Sequence, residues 1–519
     1  MKAFTEPLLS LAGFEEMTKT AEKSSGLISV TGCIDAQKSQ MIYAFGGHRK
    51  NKLIVTFGEQ KAKELYDEYS FFDKEVVYYP SKDVLFYQSD IRGNLLTAER
   101  IRALKAIREQ ERVTLVTTFD ALMNTMAPIE KMWENVLTLE LGQLLDLKEI
   151  QAALIRMGYE KEYQVQTMGQ FSVRGGILDV FPLTEENPIR IELWGDEIDT
   201  IRYFDCESQK SIENIDRVSI YPAAELVLSD EEKAGGIDKL KAEAKRVSDK
   251  LRKQMKTEEA HRVTVMADEL TEEWGELSMY AGMDAFLSYF FDERVGILDY
   301  FNPSDSLIFF DELTRCVEQG KLTETEFSES MKQRLAMGYI LPGQMNGLFT
   351  EKEIVAKLEK YSCIALGALD NKANGLHQLG SYGIHCQSVS PYNNSFELLI
   401  KDLKRYKKNG YRVILLSGSR TRAKRLSEDI TDQGITCFYT ENYDHELFEG
   451  QIMVCYGKVR RGFEYPILKF AVITESDIFG AQQKKKKRHR TYEGEKIQSF
   501  TDLSVGDYVV HENLSLIHI

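Results

Sequence analysis

Leu27-Ile28-Ser29-Val30-Thr31-Gly32-Cys33-Ile34-Asp35-Ala36-Gln37-Lys38-Ser39 decides how the rest of the chain is read. Its first five residues form a short buried-strand run; a glycine follows, and a helical stretch begins behind it. From Gly32 to Ser39 the spacing is G-x-x-x-x-G-K-[ST], the pattern of a loop that cradles phosphate with backbone N–H groups. Gln37 stands where the second glycine belongs. A glycine there lets the backbone aim several amides at one phosphate with no Cβ in the way. Gln37 brings a side chain to that path and disfavours the left-handed conformation, although Lys38 and Ser39 are kept. Gly32, Gln37, Lys38 and Ser39 therefore read as a nucleotide site with its centre removed.

Outward from this stretch, Lys52–Phe57, Glu75–Tyr79 and Val113–Thr118 are further apolar strands, separated by amphipathic helices. That alternation predicts a doubly wound parallel sheet. Much later, Leu307-Ile308-Phe309-Phe310 ends in Asp311-Glu312. Four apolar residues before two acids resemble the strand whose acid ligates Mg²⁺ in phosphate-loop enzymes. A plain buried strand ending in two solvated acids gives the same pattern. Beside the broken loop upstream, Asp311 and Glu312 are read as the other half of the same decayed site. Tyr411–Ser419, Gln451–Cys455 and Phe470–Thr474 are strands of a second α/β unit.

The expected fold class is multidomain α/β: a degenerate phosphate-loop, helicase-like α/β domain holding an inserted small α+β domain, followed by a second α/β domain. The expected boundaries are 1–125 and 221–345 for the two parts of the first domain and 126–220 for the insert. The third domain is expected at 346–480, a basic linker at 481–500, and the start of a small β domain at 501–519. The length of 519 residues suits such a plan. No apolar run reaches a membrane-spanning length, and the seven scattered cysteines form no CxxC pair. Disulfides and a metal site are therefore not expected, and a reducing, cytoplasmic setting is. A net charge of −15 works against a whole-surface grip on nucleic acid. The local exception is Lys484–Arg490, a basic run that reads as a solvated linker or as a clamp on DNA or an acidic protein.

The insert carries the most specific pattern. Gln170–Pro182 alternates with period two, which places Phe171, Val173, Ile177 and Phe181 on one face, with Asp179 as its one polar misfit, and Ser172, Arg174, Leu178 and Val180 on the other. On this count the second face offers a cation beside exposed aliphatics, as an interface anchor would. A local pair of Arg174 with Glu192 or Glu197 is the alternative. The run Phe171–Pro182, with Pro188–Asp205 and Ser208–Ser211, resembles the second domain of two related bacterial repair families, UvrB and the transcription-repair coupling factors. Arg461–Pro466, Val472–Gly480 and Gly506–Glu512 extend the resemblance to the coupling factors, in the right order along the chain. UvrB keeps an intact phosphate loop and an aromatic-rich hairpin; this chain has Gln37, and only Tyr78-Tyr79-Pro80 near the place of the hairpin.

The resemblance implies that the insert docks on UvrA, with contacts at Lys161 (a position where the family more often has Arg), Arg174 and, as a third choice, Leu178. It also implies RNA polymerase and double-stranded DNA as partners of the full-length protein. The family's ATP- and Mg²⁺-dependent motor lies in further helicase-like domains. No Gly-Lys-[ST] tripeptide occurs here: Gly320-Lys321 and Gly457-Lys458 precede Leu322 and Val459. No catalytic residue and no bound cofactor is therefore expected in this chain. A UvrB-type excision-repair helicase subunit is the alternative. Leu514–Ile519 matches the translation of a common sequencing adaptor, so the reading frame is expected to continue past Asn513. A first strand at 506–511 would then lack its partners and pack poorly.

Overall fold

The computed structural model describes the chain except for residues 47–48, 83–93, 277–282, 371–374, 481–507, 511–515 and 519. The basic run 484–490 and most of the terminal stretch thus lie outside the described residues. Of the tail, Tyr508–Val510 and Leu516–His518 are described, paired antiparallel. The strand expected to stand alone therefore has a local partner.

The strands expected near 27, 52, 75, 113 and 306 form one parallel sheet. Its order is Gln378–Gly383, Gly26–Thr31, Ser362–Leu366, Ser306–Asp311, Asn51–Thr56, Val113–Thr118, Val76–Tyr79. All neighbours run parallel, and the central strands are buried on both faces, as apolar runs without alternation require. Two of the seven strands, Ser362–Leu366 and Gln378–Gly383, come from beyond the boundary expected at 345. A strand's local sequence does not say which sheet it joins, so the boundary expected at 345 falls too early and the first domain reaches at least Gly383.

The insert is a six-stranded sheet ordered Ser211–Asn214, Glu197–Phe204, Ile189–Trp194, Ile177–Val180, Gln170–Arg174, Glu160–Lys161, antiparallel except for its last pair. Leu137–Glu140 and Arg217–Ile220 pair as its neck. The stretch before the neck belongs to the first domain: Phe119, Leu122, Met126, Ile129 and Met132 are buried in that core. The insert therefore begins nearer 137 than 126. The Leu147–Arg156 helix covers one face of its sheet, Leu154 packing with Phe171, Leu178 and Val180.

A third sheet is ordered Gln387–Ser388, Phe463–Tyr465, Phe470–Thr474, Arg412–Ser417, Ile452–Tyr456, Phe438–Tyr439. One face carries the Phe396–Lys408 and Arg420–Asp432 helices. The other shares a core with the first sheet, bringing Ile414, Leu416 and Val472 together with Ile28, Val30 and Ile54. Between the two lies the Asp35–Phe45 helix. Gln37, Lys38, Ser39, Gln40, Met41 and Ile42 are all buried, so it is enclosed on every side instead of showing one wet face.

Candidate functional site

The broken loop is closed by the chain itself. Helix begins at Asp35, so only Gly32, Cys33 and Ile34 separate it from the strand. Gln37, expected in the loop, sits in the first helical turn. The amides that would face a phosphate are used: Gly32 N–H donates to the Ala368 carbonyl at 3.2 Å and Cys33 N–H to that of Gly367 at 3.0 Å. Gly32 has φ +75°, and a Cβ there would meet the Ile384 oxygen at 2.1 Å, so glycine is required. The Gln37 amide nitrogen and oxygen are buried with no hydrogen-bond partner among the described residues.

Lys38 and the two acids do come together, across 273 residues of sequence. Its Nζ lies 2.5 Å from Asp311 Oδ1, 2.9 Å from Glu312 Oε1 and 3.1 Å from Asp35 Oδ1. Asp311 Oδ2 accepts from Thr56 Oγ1 at 2.9 Å. The Lys38 and Asp311 side chains are each 1% exposed. Burial opposes the ammonium charge, yet the adjoining carboxylates of Asp311 and Glu312 outweigh it and hold the Lys38 pKa above its ordinary value. The carboxylates thus occupy the lysine that would otherwise face a phosphate. Ser39 Oγ lies 3.5 Å from Glu68 Oε2. Glu68 also accepts the Arg460 N–H from the third domain at 3.3 Å, and burial pushes its carboxyl up to about 7.

On the insert, the three residues implied as UvrA contacts fall in three places. Arg174 pairs with Ile177 across a two-residue turn, so even positions of one strand oppose odd positions of the next. Phe171, Val173, Leu178 and Val180 share the helix-covered face, and Ser172, Arg174, Ile177 and Asp179 share the open one. Counting by twos straight through Gly175-Gly176 puts Ile177 with Phe171 and Leu178 with Arg174; the two-residue turn reverses both. Leu178 is 0% exposed in the core and offers no contact surface, a correction to its place beside Arg174. Lys161 is exposed on the edge strand and donates to Gln151 Oε1 at 2.7 Å, on the helix side of the sheet.

Arg174 is 37% exposed on the open face, and its partner is Asp179 at 2.9 Å, not Glu192 or Glu197. Asp179 is buried and also held by Arg190 at 2.7 and 2.8 Å, whose guanidinium stacks 4.3 Å from the Phe204 ring. Glu192 is engaged by Arg202. At the end of the open face near the Gly175-Gly176 turn stands Trp194, 84% exposed. Trp194 and Ile177 were missed by sequence reasoning. The signal for Ile177 lay in the turn parity; for Trp194 it lay in a tryptophan placed directly before the hairpin turn Gly195-Asp196.

A second missed group fixes the segment leaving the insert to the first domain. Arg100 Nε and Nη2 reach Glu225 at 2.7 and 3.1 Å, and Lys82 Nζ reaches Glu225 at 3.1 Å. Burial works to raise the Glu225 carboxyl, but Arg100 and Lys82 pull it down to about 2. An arginine buried inside an amphipathic helix leaves no trace in the sequence pattern. Among the described residues no group of three or more His, Cys, Asp or Glu is placed to hold a metal ion, and no helix is long and apolar enough to cross a membrane.

Residues 137–226 match the family model of the UvrB interaction domain. The chain is similar to transcription-repair-coupling factors. It is 28% identical over 463 residues to that of Bacillus subtilis (strain 168), covering 89% of this chain and 39% of the relative. It is 28% identical over 496 residues to that of Staphylococcus haemolyticus, covering 93% and 41%. It is 27% identical over 513 residues to that of Staphylococcus aureus (strain MRSA252), covering 96% and 42%. The chain thus spans about two-fifths of the length of the curated relatives it matches. The resemblance read from the motifs extends over most of the chain.

Proposed function

We propose that this chain is the N-terminal portion of a transcription-repair coupling factor and that its part is to recruit UvrA, linking a stalled RNA polymerase to nucleotide excision repair. The match of residues 137–226 to the UvrB interaction domain carries this reading. The docking face is the open side of that sheet, with Arg174 as the charged contact and Ile177 and Trp194 as apolar neighbours in place of Leu178. Tryptophan and arginine are both enriched among residues that dominate binding energy. Lys161 contributes from the sheet edge.

The rest of the chain is a scaffold that does not hydrolyse nucleotide. Supporting this, the loop amides at Gly32 and Cys33 already bond carbonyls, and Lys38 already faces Asp311 and Glu312. ATP and Mg²⁺ would serve motor domains outside this sequence. RNA polymerase and double-stranded DNA would be partners of the longer protein, and the cytoplasm its place of work. Similarity to coupling factors along most of the chain favours this reading over a UvrB-type helicase subunit.

Capture of UvrA on the immobilised chain tests the proposal. The parent is expected to retain UvrA, with binding lost in Arg174→Glu and weakened in Trp194→Ala. A parent chain that captures no UvrA ends it. ATP hydrolysis by the chain, abolished in Lys38→Ala, would establish the UvrB-type alternative instead.

A further inference from the structure

The Asp230–Lys253 helix packs one face on Thr257–Glu276, where Leu240, Ala244 and Leu251 meet Ala260, Val263 and Trp274. The opposite face is open and strongly basic. Between Lys239 and Lys256 stand eight lysines and arginines against two acids, Glu243 and Asp249, in a chain whose net charge is −15. Two of those cations are paired, Lys239 with Asp292 at 2.9 Å and Arg246 with Glu243 at 2.6 Å. Lys241, Lys245, Lys250, Arg252, Lys253 and Lys256 are exposed, with no carboxylate within ion-pair distance among the described residues.

Helix polarity accounts for only part of this. Cations in the last turn stabilise the carbonyl end, which covers Lys250, Arg252 and Lys253. Lys241 and Lys245 lie earlier, where that field has faded. From Lys241 to Lys253 the stripe is about 18 Å long, and B-DNA presents a charge for about every 1.7 Å of its axis. The stripe holds no aromatic residue, so it lacks the stacking platforms that single strands use. Its one exposed large apolar side chain is Met255, at its end in the turn before Lys256 and not at its centre. A protein partner would need an apolar centre. A phosphate backbone does not.

We propose that the outward face of the Asp230–Lys253 helix binds duplex DNA through its phosphates, without reading sequence. This surface is separate from the UvrA face and does not depend on it. The test is fluorescence anisotropy of the full chain with a random-sequence duplex over a series of salt concentrations. Lys245→Glu/Lys250→Glu/Lys253→Glu is expected to weaken binding at least about tenfold and to lower the salt slope by about 3. The corresponding triple glutamine variant should fall between the two. Far-UV circular dichroism should be unchanged in both, since the three side chains are exposed. Equal affinity in parent and triple glutamate variant overturns the proposal, because DNA would then be held elsewhere. Binding of a single strand, or of polyglutamate, as tight as that of the duplex also overturns it.

Discussion

Lys38 and Arg174 are both cations set against an aspartate, in two parts of the molecule that differ in how far water reaches them. Lys38 and Asp311 are enclosed between two sheets, each 1% exposed, and every nearby donor and acceptor of the pair is taken. Arg174 is 37% exposed, and its aspartate has a second guanidinium in Arg190. A buried charge pair fixes a structure, because removing one partner strands the other in a dry site. A half-exposed arginine whose partner is doubly held can turn to a new carboxylate at little cost. The loop that looks like a ligand site is thus a structural joint, and the sheet that looks like plain structure offers the free surface.

The sharpest way to break this comparison is Lys38→Met. It should cost about 3–5 kcal/mol by leaving Asp311 buried without a cation, read as a lower urea midpoint. Arg174→Met should cost no more than about 1 kcal/mol in the same measurement. Similar losses at the two positions would end the distinction.

Next in size, Leu178→Ala should destabilise the insert by about 2–5 kcal/mol, as for a leucine deleted from a packed core. Trp194→Ala should stay within about 0.5 kcal/mol of the parent while weakening UvrA capture. A Leu178→Ala chain with parent stability and lost UvrA capture would restore Leu178 as a contact.

Glu68 sharpens the closed side of the comparison through pH. Burial raises its carboxyl to about 7 from the ordinary 4.5. A folded value above the unfolded one means stability is fully present below about pH 4.5 and is lost as pH rises to about 7. The parent should therefore lose on the order of 3 kcal/mol across that window relative to Glu68→Gln, measured as the difference between their melting temperatures. Parallel pH profiles would show that Glu68 is not held at the domain junction. Last, Gln37→Met should stabilise the chain by about 1 kcal/mol, since it removes a buried amide without partners.

Much of the fold was legible. Runs such as Val113–Thr118 and Phe470–Thr474 gave themselves away because a strand buried on both faces must be apolar throughout. The two motifs implied that Lys38, Asp311 and Glu312 share one place, though not that they pair with one another. Three things were not. The faces of Gln170–Arg174 and Ile177–Val180 depend on whether a turn holds two residues or three, and one residue reverses every side chain beyond it. The carbonyls of Gly367 and Ala368 that fill the loop amides come from more than 330 residues away, and carbonyls are the same in every residue. Arg100 reads as an ordinary helix cation until Glu225 is placed beside it.

By itself, then, the sequence determined the strands, their alternation with helices, the presence of Gln37 where a phosphate loop has glycine, and the likeness of the insert to a UvrB interaction domain. Those depend on side chains near in sequence, whose spacing is visible. Tertiary structure alone decided that the Asp35–Phe45 helix is enclosed, that Lys38 is satisfied within the chain, and that Arg174 faces outward with Ile177 and Trp194, not Leu178. Each of those depends on which surfaces meet. Water exclusion between packed sheets, not local pattern, sets whether a charge becomes a joint or a contact.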